Sequence, residues 1–178
     1  MRSPRRAQII EAAIDTIAAE GLARASFARI ARTAGLSSTG LISYHFANRQ
    51  ELLDEVARVV QGELAAFVAA RTDPDDGPAA ALLAFIAANV EFAGRHRDRL
   101  LAARGISSAA VDPAADGLPE LIRAGQRYGD FRFFDVDVMA TAIRSVCAGV
   151  LARLAVEPDL DLARHTEELV TLFELATR

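Results

Sequence analysis

Residues 25–53 read ASFARIARTAGLSSTGLISYHFANRQELL. Ser26 is a helix-capping type placed just before a short run in which Phe27, Ile30 and Ala31 repeat at helical spacing, and Ala34-Gly35 supplies the stop. A second short run starts from a cap at Ser37 or Ser38 and ends near Phe46. At about 100° per residue, Ile42 and Phe46 fall together on its inner face. Gly40 and Tyr44 fall on the opposite face, with Ser43 flanking them. Two short helices around a glycine turn cannot bury their apolar faces alone, so a third helix must cover them. It is present upstream: Ile10, Ala13, Ile14 and Ile17 repeat at helical spacing after Pro4, and Gly21 ends the pattern, predicting a helix over 4–20. The three together form a helix-turn-helix head.

Downstream the same periodicity continues. Leu53, Val56, Val60, Leu64 and Phe67 predict a long helix over 48–71, interrupted by the turn-rich segment Thr72 to Pro78. A helix through about Phe92 and a shorter one over 97–104 follow. The stretch Gly105 to Pro119, rich in Ser, Gly, Pro and Asp, reads as a mobile loop, and 119–128 as a helix. Two strong helices, 135–156 and 161–176, flank a break at Pro158. The expected fold is therefore all-α: a three-helix head over residues 1–47 and a helical-bundle body over 48–178. Helix 135–156 carries one apolar row of Met139, Ile143, Val146 and Val150 and another of Cys147, Leu151 and Leu154. A helix so apolar must be covered on two sides, one by its own core and the other by a second subunit. Val146, Val150 and Leu154, with Leu169, Leu172 and Phe173 of the last helix, are the expected homodimer interface.

Composition agrees with this organisation. The chain has 178 residues, 52% hydrophobic and 25% charged, enough for a sizeable core without a staple. Its net charge of −4 is unevenly placed: residues 1–50 hold seven arginines against Glu11, Asp15 and Glu20, a net of +4, which leaves −8 for the rest. A basic head on an acidic body suits a module that meets a polyanion joined to one that does not. The lone Cys147 excludes an internal disulfide and, between Val146 and Ala148, is expected as a buried core thiol in a reducing compartment. The N-terminus leads straight into an amphipathic helix, and no apolar run reads as a membrane span, so a cytoplasmic location without membrane contact is expected.

Ile30-Ala31, Ala34-Gly35, the stretch STGLISYHF from Ser38 to Phe46, and Asn48-Arg49-Gln50-Glu51-Leu52-Leu53 in this order resemble the DNA-binding head of the tetracycline-repressor (TetR) family. The resemblance is strong over residues 7–60 and compatible afterward, where Gly125 to Phe131 looks like the family's turn before its penultimate helix. It departs between Gly35 and Gly40, where Leu36, Ser37, Ser38 and Thr39 make one residue more than the commonest form. The resemblance implies a ligand-responsive repressor binding double-stranded operator DNA as a homodimer, with His45 donating to a phosphate or bracing the turn.

The residues support the same surface on physical grounds. Gly40, lacking a side chain, permits close approach to a groove, and Thr39, Ser43 and Tyr44 offer hydroxyls to bases or phosphates. Ser26, Ser38 and Asn48 stand at helix starts, where free N–H groups favour phosphate oxygens, and Arg49 adds a full charge there. In the body, Phe85, Leu101, Ile106, Met139 and Ile143 come from several helices and either line a pocket for a small apolar effector or fill a dry core. Phe131, Phe133 and Phe134 are expected to pack the base of the last two helices, and His96 among Arg95, Arg97 and Arg99 reads as a solvated helix end. No catalytic site, metal site or cofactor is expected: His45, His96 and His165 lie on separate helices, with no His-Glu-x-x-His, paired cysteines or phosphate loop, and Asp73, Asp75 and Asp76 lack calcium-loop spacing. The alternative from a different class is a helical small-molecule-binding or scaffold protein that does not use its head.

Overall fold

The computed structural model describes residues 3–106 and 116–178. Helices account for the regular structure, and there are no strands among the described residues. Two compact units divide the chain: the described parts of Met1–Gly62 and Asp98–Asp112 form the first, and those of Glu63–Arg97 and Pro113–Arg178 the second.

In the first unit, α1 (Pro4–Glu20) opens on a proline whose missing N–H costs nothing there, and it closes where Gly21 takes φ +85° and donates its N–H to the Ile17 carbonyl at 2.8 Å. The buried side of α1 is Ile9, Ile10, Ala13, Ile14 and Ile17. Short helices α2 (Phe27–Thr33) and α3 (Gly40–His45) close over it with Ile30, Ala31, Ile42 and Phe46. Asn48 caps α4 (Arg49–Ala69): its Oδ1 accepts the Glu51 N–H at 2.9 Å, and Glu51 reaches back to the Ala47 N–H at 2.7 Å. The expected boundary at 47/48 is corrected by these contacts. Leu52, Leu53, Val56 and Val60 belong to the core of the head, and the division falls inside α4, after Gly62. Helix α6 (Arg97–Arg104) joins the same core through Ala102, where Arg99 pairs with Glu11 of α1 at 2.5 Å.

The second unit contains α5 (Gly77–Arg95), α7 (Leu118–Tyr128), α8 (Val136–Val156) and α9 (Leu162–Thr177), around Leu82, Phe85, Ile86, Leu118, Ile122, Ala140, Ile143 and Phe173. Asp135 and Asp161 cap α8 and α9 through the Val138 and Arg164 N–H groups at 2.9 and 3.0 Å. The turn after α7 is built on Gly125. Its carbonyl accepts the N–H groups of Asp130 and Phe131, and the Phe131 ring lies 2.1 Å from where a Gly125 Cβ would stand. Only glycine lets that ring fold back into the core. Phe131 is accordingly buried, Phe134 half-buried, and Phe133 exposed, so the three phenylalanines do not pack as a set. His96 is not a solvated end: its ring packs 4.5 Å from Phe92 and 6.1 Å from Phe67. Cys147 sits against the second core, and burial pushes its thiol up to about 11. The expected mobile loop over 105–119 lies largely outside the described residues.

Two helices contradict the expectation that no run is long enough for a membrane. Gly77–Arg95 and Val136–Val156 reach that length and apolarity by composition, with mean hydropathies of 1.4 and 1.5. In α5 the apolar side chains Leu82, Phe85 and Ile86 face the core, which is where a protein interior and a membrane span share one composition. Helix α8 carries Asp137, Arg144 and Arg153 along its length.

Candidate nucleic-acid interface

Helix α3 is held from below and open above. Ile42 is wholly buried and Phe46 nearly so, whereas Thr39, Gly40, Ser43 and Tyr44 are exposed, Tyr44 to 83%. The sequence placed these residues on the faces they occupy. His45 is half-buried, its ring edge-on to Tyr44 at 5.1 Å, so it braces the tyrosine as well as ending the helix.

The cap of α3 differs from expectation. Thr39, in helical conformation and without a side-chain capping bond, occupies the cap position, and its carbonyl accepts the Ile42 and Ser43 N–H groups at 3.0 Å. Neither Ser37 nor Ser38 does the capping; both are exposed, with the Ser38 Oγ 3.5 Å from where a Gly40 Cβ would stand. The extra residue between Gly35 and Gly40 is absorbed here, because the turn spends its added serine ahead of the helix. Ser26 does cap α2, its Oγ accepting the Arg29 N–H at 3.4 Å.

The basic residues are less available than their count implies. Arg49 donates from Nε to the Ala25 carbonyl at 3.0 Å and from a terminal nitrogen to the Leu22 carbonyl, tying the start of α4 to the turn after α1. The structure thus gives Arg49 a bracing task at an exposed position. Arg6 donates to the His45 carbonyl at 2.8 Å, stacks 4.3 Å over the Phe46 ring and lies within 3.9 Å of Glu51 and Glu55, so a cation closes the C-terminal end of α3. Arg29 pairs with Glu20. Arg24 and Arg32 are exposed and have no ion-pair partner among the described residues, and Arg5 is bonded only to the neutral Gln8.

One residue of the open face went unread in the sequence. Leu41 is 40% exposed, about 60° around the helix from Tyr44, and belongs to neither buried cluster. Helical phase alone would have found it; a leucine in a short amphipathic run reads by default as core.

In the second unit the expected effector set divides. Phe85, Met139 and Ile143 meet in the core there, but Leu101 and Ile106 fall in the first unit, where Ile106 packs on the core of the head. An open groove of about 320 Å³ lies instead between α5 and α9, lined by Val90, Glu91, Gly94, Arg95, Leu162 and Thr166. The expected dimer set is likewise reassigned. Val150, Leu154 and Phe173 are buried under their own chain, Val146 and Leu169 pack half-buried on the same core, and only Leu172 is exposed. The two apolar rows of α8 lie only about 80° apart, so they make one broad inward face. Opposite run Val138, Thr141, Ala142, Ser145, Ala148, Gly149, Ala155 and Val156, exposed, with the exposed charges Asp137 and Arg153 near the two ends of the helix and Leu172 and Leu175 exposed on α9.

The sequence profile of "Bacterial regulatory proteins, tetR family" matches residues 9–56, which contain α2, α3 and the start of α4. Over 92 residues the chain is 38% identical to the HTH-type transcriptional regulator BetI of Burkholderia thailandensis, covering 51% of this chain and 47% of that one. It thus spans about half the length of the curated relatives it matches. Its fold is similar to a tetR-family regulatory protein from Rhodococcus RHA1, with a TM-score of 0.80 at 22% identity over 99% of this chain and 98% of that one. It is also similar to the fatty acid degradation regulator FadR of Bacillus halodurans, with a TM-score of 0.83 at 20% identity over the whole of both chains. Residues 9–56 thus carry the signature of the tetR family of bacterial regulatory proteins, and the fold is similar to that of a solved tetR-family protein.

Proposed function

We propose that this chain is a cytoplasmic transcriptional repressor that binds an inverted-repeat operator as a homodimer, laying one α3 in the major groove at each half-site. The observation that carries the reading is the division of α3 itself: Ile42 and Phe46 anchor it, while Gly40 is exposed and Thr39, Ser43 and Tyr44 present hydroxyls to solvent with no competing side-chain hydrogen bond among the described residues. A single six-residue helix touches too few bases to select one site in a genome, so a second head is required. The exposed, small-residue middle of α8 around Thr141, Ser145, Ala148 and Gly149, with Leu172 and Leu175, is the surface on which the second copy would pack. An apolar effector entering among Phe85, Met139 and Ile143 would lower DNA affinity through a coupling of about 1–3 kcal/mol. The similarity of fold to a fatty acid degradation regulator makes a fatty acid the first probe.

The test is a mobility shift of labelled DNA flanking the gene. A complex at nanomolar protein that weakens as salt rises, contains two chains, and is loosened by the fatty acid is the expected result. A salt-insensitive complex, or none at micromolar protein, would sink the reading, and equal affinity with and without the fatty acid would remove that effector.

A further inference from the structure

We infer that Leu41 reads a thymine methyl group in each operator half-site, and that methyl contact, more than hydrogen bonding by charged side chains, sets the base preference of the head. The inference rests on the DNA-binding reading and adds the chemical identity of what α3 recognises.

The outward face of α3 is centred on Gly40, Leu41 and Tyr44. With Ile42 and Phe46 fixed inward, the remaining positions follow from the helical repeat, and their exposure agrees. That face has no arginine, lysine, asparagine, glutamine or carboxylate. The bidentate pairing of guanine by arginine, and of adenine by an amide, is therefore unavailable to this helix. Arg49 and Arg6 lie on other helices, with their guanidinium groups held on the Ala25 and Leu22 carbonyls and on the His45 carbonyl, away from the outward face of α3. What the face does offer is an apolar side chain, 40% exposed, between hydroxyls.

The major groove presents one apolar landmark, the C5-methyl of thymine. Gly40 makes the contact reachable. A Cβ there would meet only the Ser38 Oγ at 3.5 Å, so nothing built on the helix at that position holds the backbone away from the base edges. Leu41, next in the chain, then projects from a backbone that can come close. Thr39 and Tyr44 are left to bond the flanking bases or the backbone, which fixes register without supplying the apolar discrimination.

The experiment uses the full chain and DNA selected by it from a random duplex library. Each thymine of the selected half-sites is replaced in turn by deoxyuridine, which keeps every hydrogen bond and removes only the methyl. One position in each half-site is expected to lose roughly fourfold in affinity when substituted, the worth of burying one methyl, and about sixteenfold when both half-sites are changed. Leu41→Ala should bind the thymine and uracil duplexes alike, Leu41→Met should retain the discrimination, and Tyr44→Phe should retain it as well. Selected half-sites without thymine, indifference of the wild type to uracil, or discrimination that survives Leu41→Ala would each overturn the assignment while leaving DNA binding intact. Failure of the library to yield any bound duplex removes the DNA-binding reading itself, and this inference with it.

Discussion

Arg49 shows how far a residue's type runs ahead of its task. A cation at the first position of a helix, after a capping asparagine, invites the reading of a phosphate ligand, since the helix start and the charge both favour an anion. That signal is local and was legible. The acceptors that claim the side chain, the Ala25 and Leu22 carbonyls, lie 24 and 27 residues earlier, and no periodicity in the sequence connects them. The carbonyls lie at the start and just past the end of the short 3-10 turn Leu22–Arg24 after α1; Leu22 accepts the Ala25 N–H at 3.3 Å and Arg49 besides, so the guanidinium adds donors where the backbone turns between α1 and α2. Arg49→Ala is therefore expected to lower stability by about 1 kcal/mol, the worth of charged hydrogen bonds discounted for exposure, as read by denaturant midpoint. Arg49→Lys should fail to restore it, because a point donor cannot span two carbonyls. The salt dependence of DNA binding should not change. A variant of unaltered stability whose salt slope falls would return Arg49 to the phosphates.

At the scale of the element, α8 separates what hydropathy can tell from what it cannot. Apolar content correctly announced a helix needing cover, and the limits 135–156 agree with Val136–Val156 and its Asp135 cap. Hydropathy did not tell which side of α8 its own chain covers. Most of the large apolar residues expected at the interface fill the core, and the middle of the face left open is made of the small residues Thr141, Ala142, Ser145, Ala148 and Gly149. Small side chains let two helices approach closely, so their value at an interface is geometric and invisible to a sum of hydrophobicity. The corrected face makes a sharp contrast between neighbouring positions. Ala148→Arg, at an exposed site, should leave the helix content intact but give monomers by sedimentation that no longer shift DNA. Val150→Arg, 4% exposed, should instead cost several kcal/mol by burying an unpaired charge and unfold the second unit. A dimeric Ala148→Arg variant that still binds DNA would mean that the second copy packs elsewhere. The Gly125 turn makes the opposite case: its place was legible from the family resemblance, but the Phe131 ring that demands glycine there came only from the fold.

For the whole molecule the useful quantity is the charge left to meet DNA. Segregation of +4 in the first fifty residues from −8 beyond is visible in the sequence, and it marks the part of the chain suited to a polyanion. It overstates how many charges do so. Arg6 and Arg29 are matched by carboxylates and Arg49 is held on carbonyls, whereas Arg5, Arg24 and Arg32 are exposed with no acid against them among the described residues. Each phosphate neutralised releases about 0.9 counterion, so a dimer using all seven arginines of each head would show a log–log salt slope near about −13. The three per head among the described residues predict a slope of about −5, and about −7 if Arg2, outside the described residues, joins them. The measurement is the affinity for one selected duplex at several salt concentrations. Arg24→Ala combined with Arg32→Ala removes four charges from the dimer and should flatten the slope by about 4, while weakening specific and random duplexes by similar factors. Arg6→Ala should behave differently: with the cation gone from the His45 carbonyl, α3 loses the brace at its C-terminal end, and the preference for the selected duplex over a random one should shrink at nearly constant slope. A wild-type slope near −13, or one that the Arg24 and Arg32 changes leave untouched, would show that the charges meeting DNA are not the ones this fold leaves free.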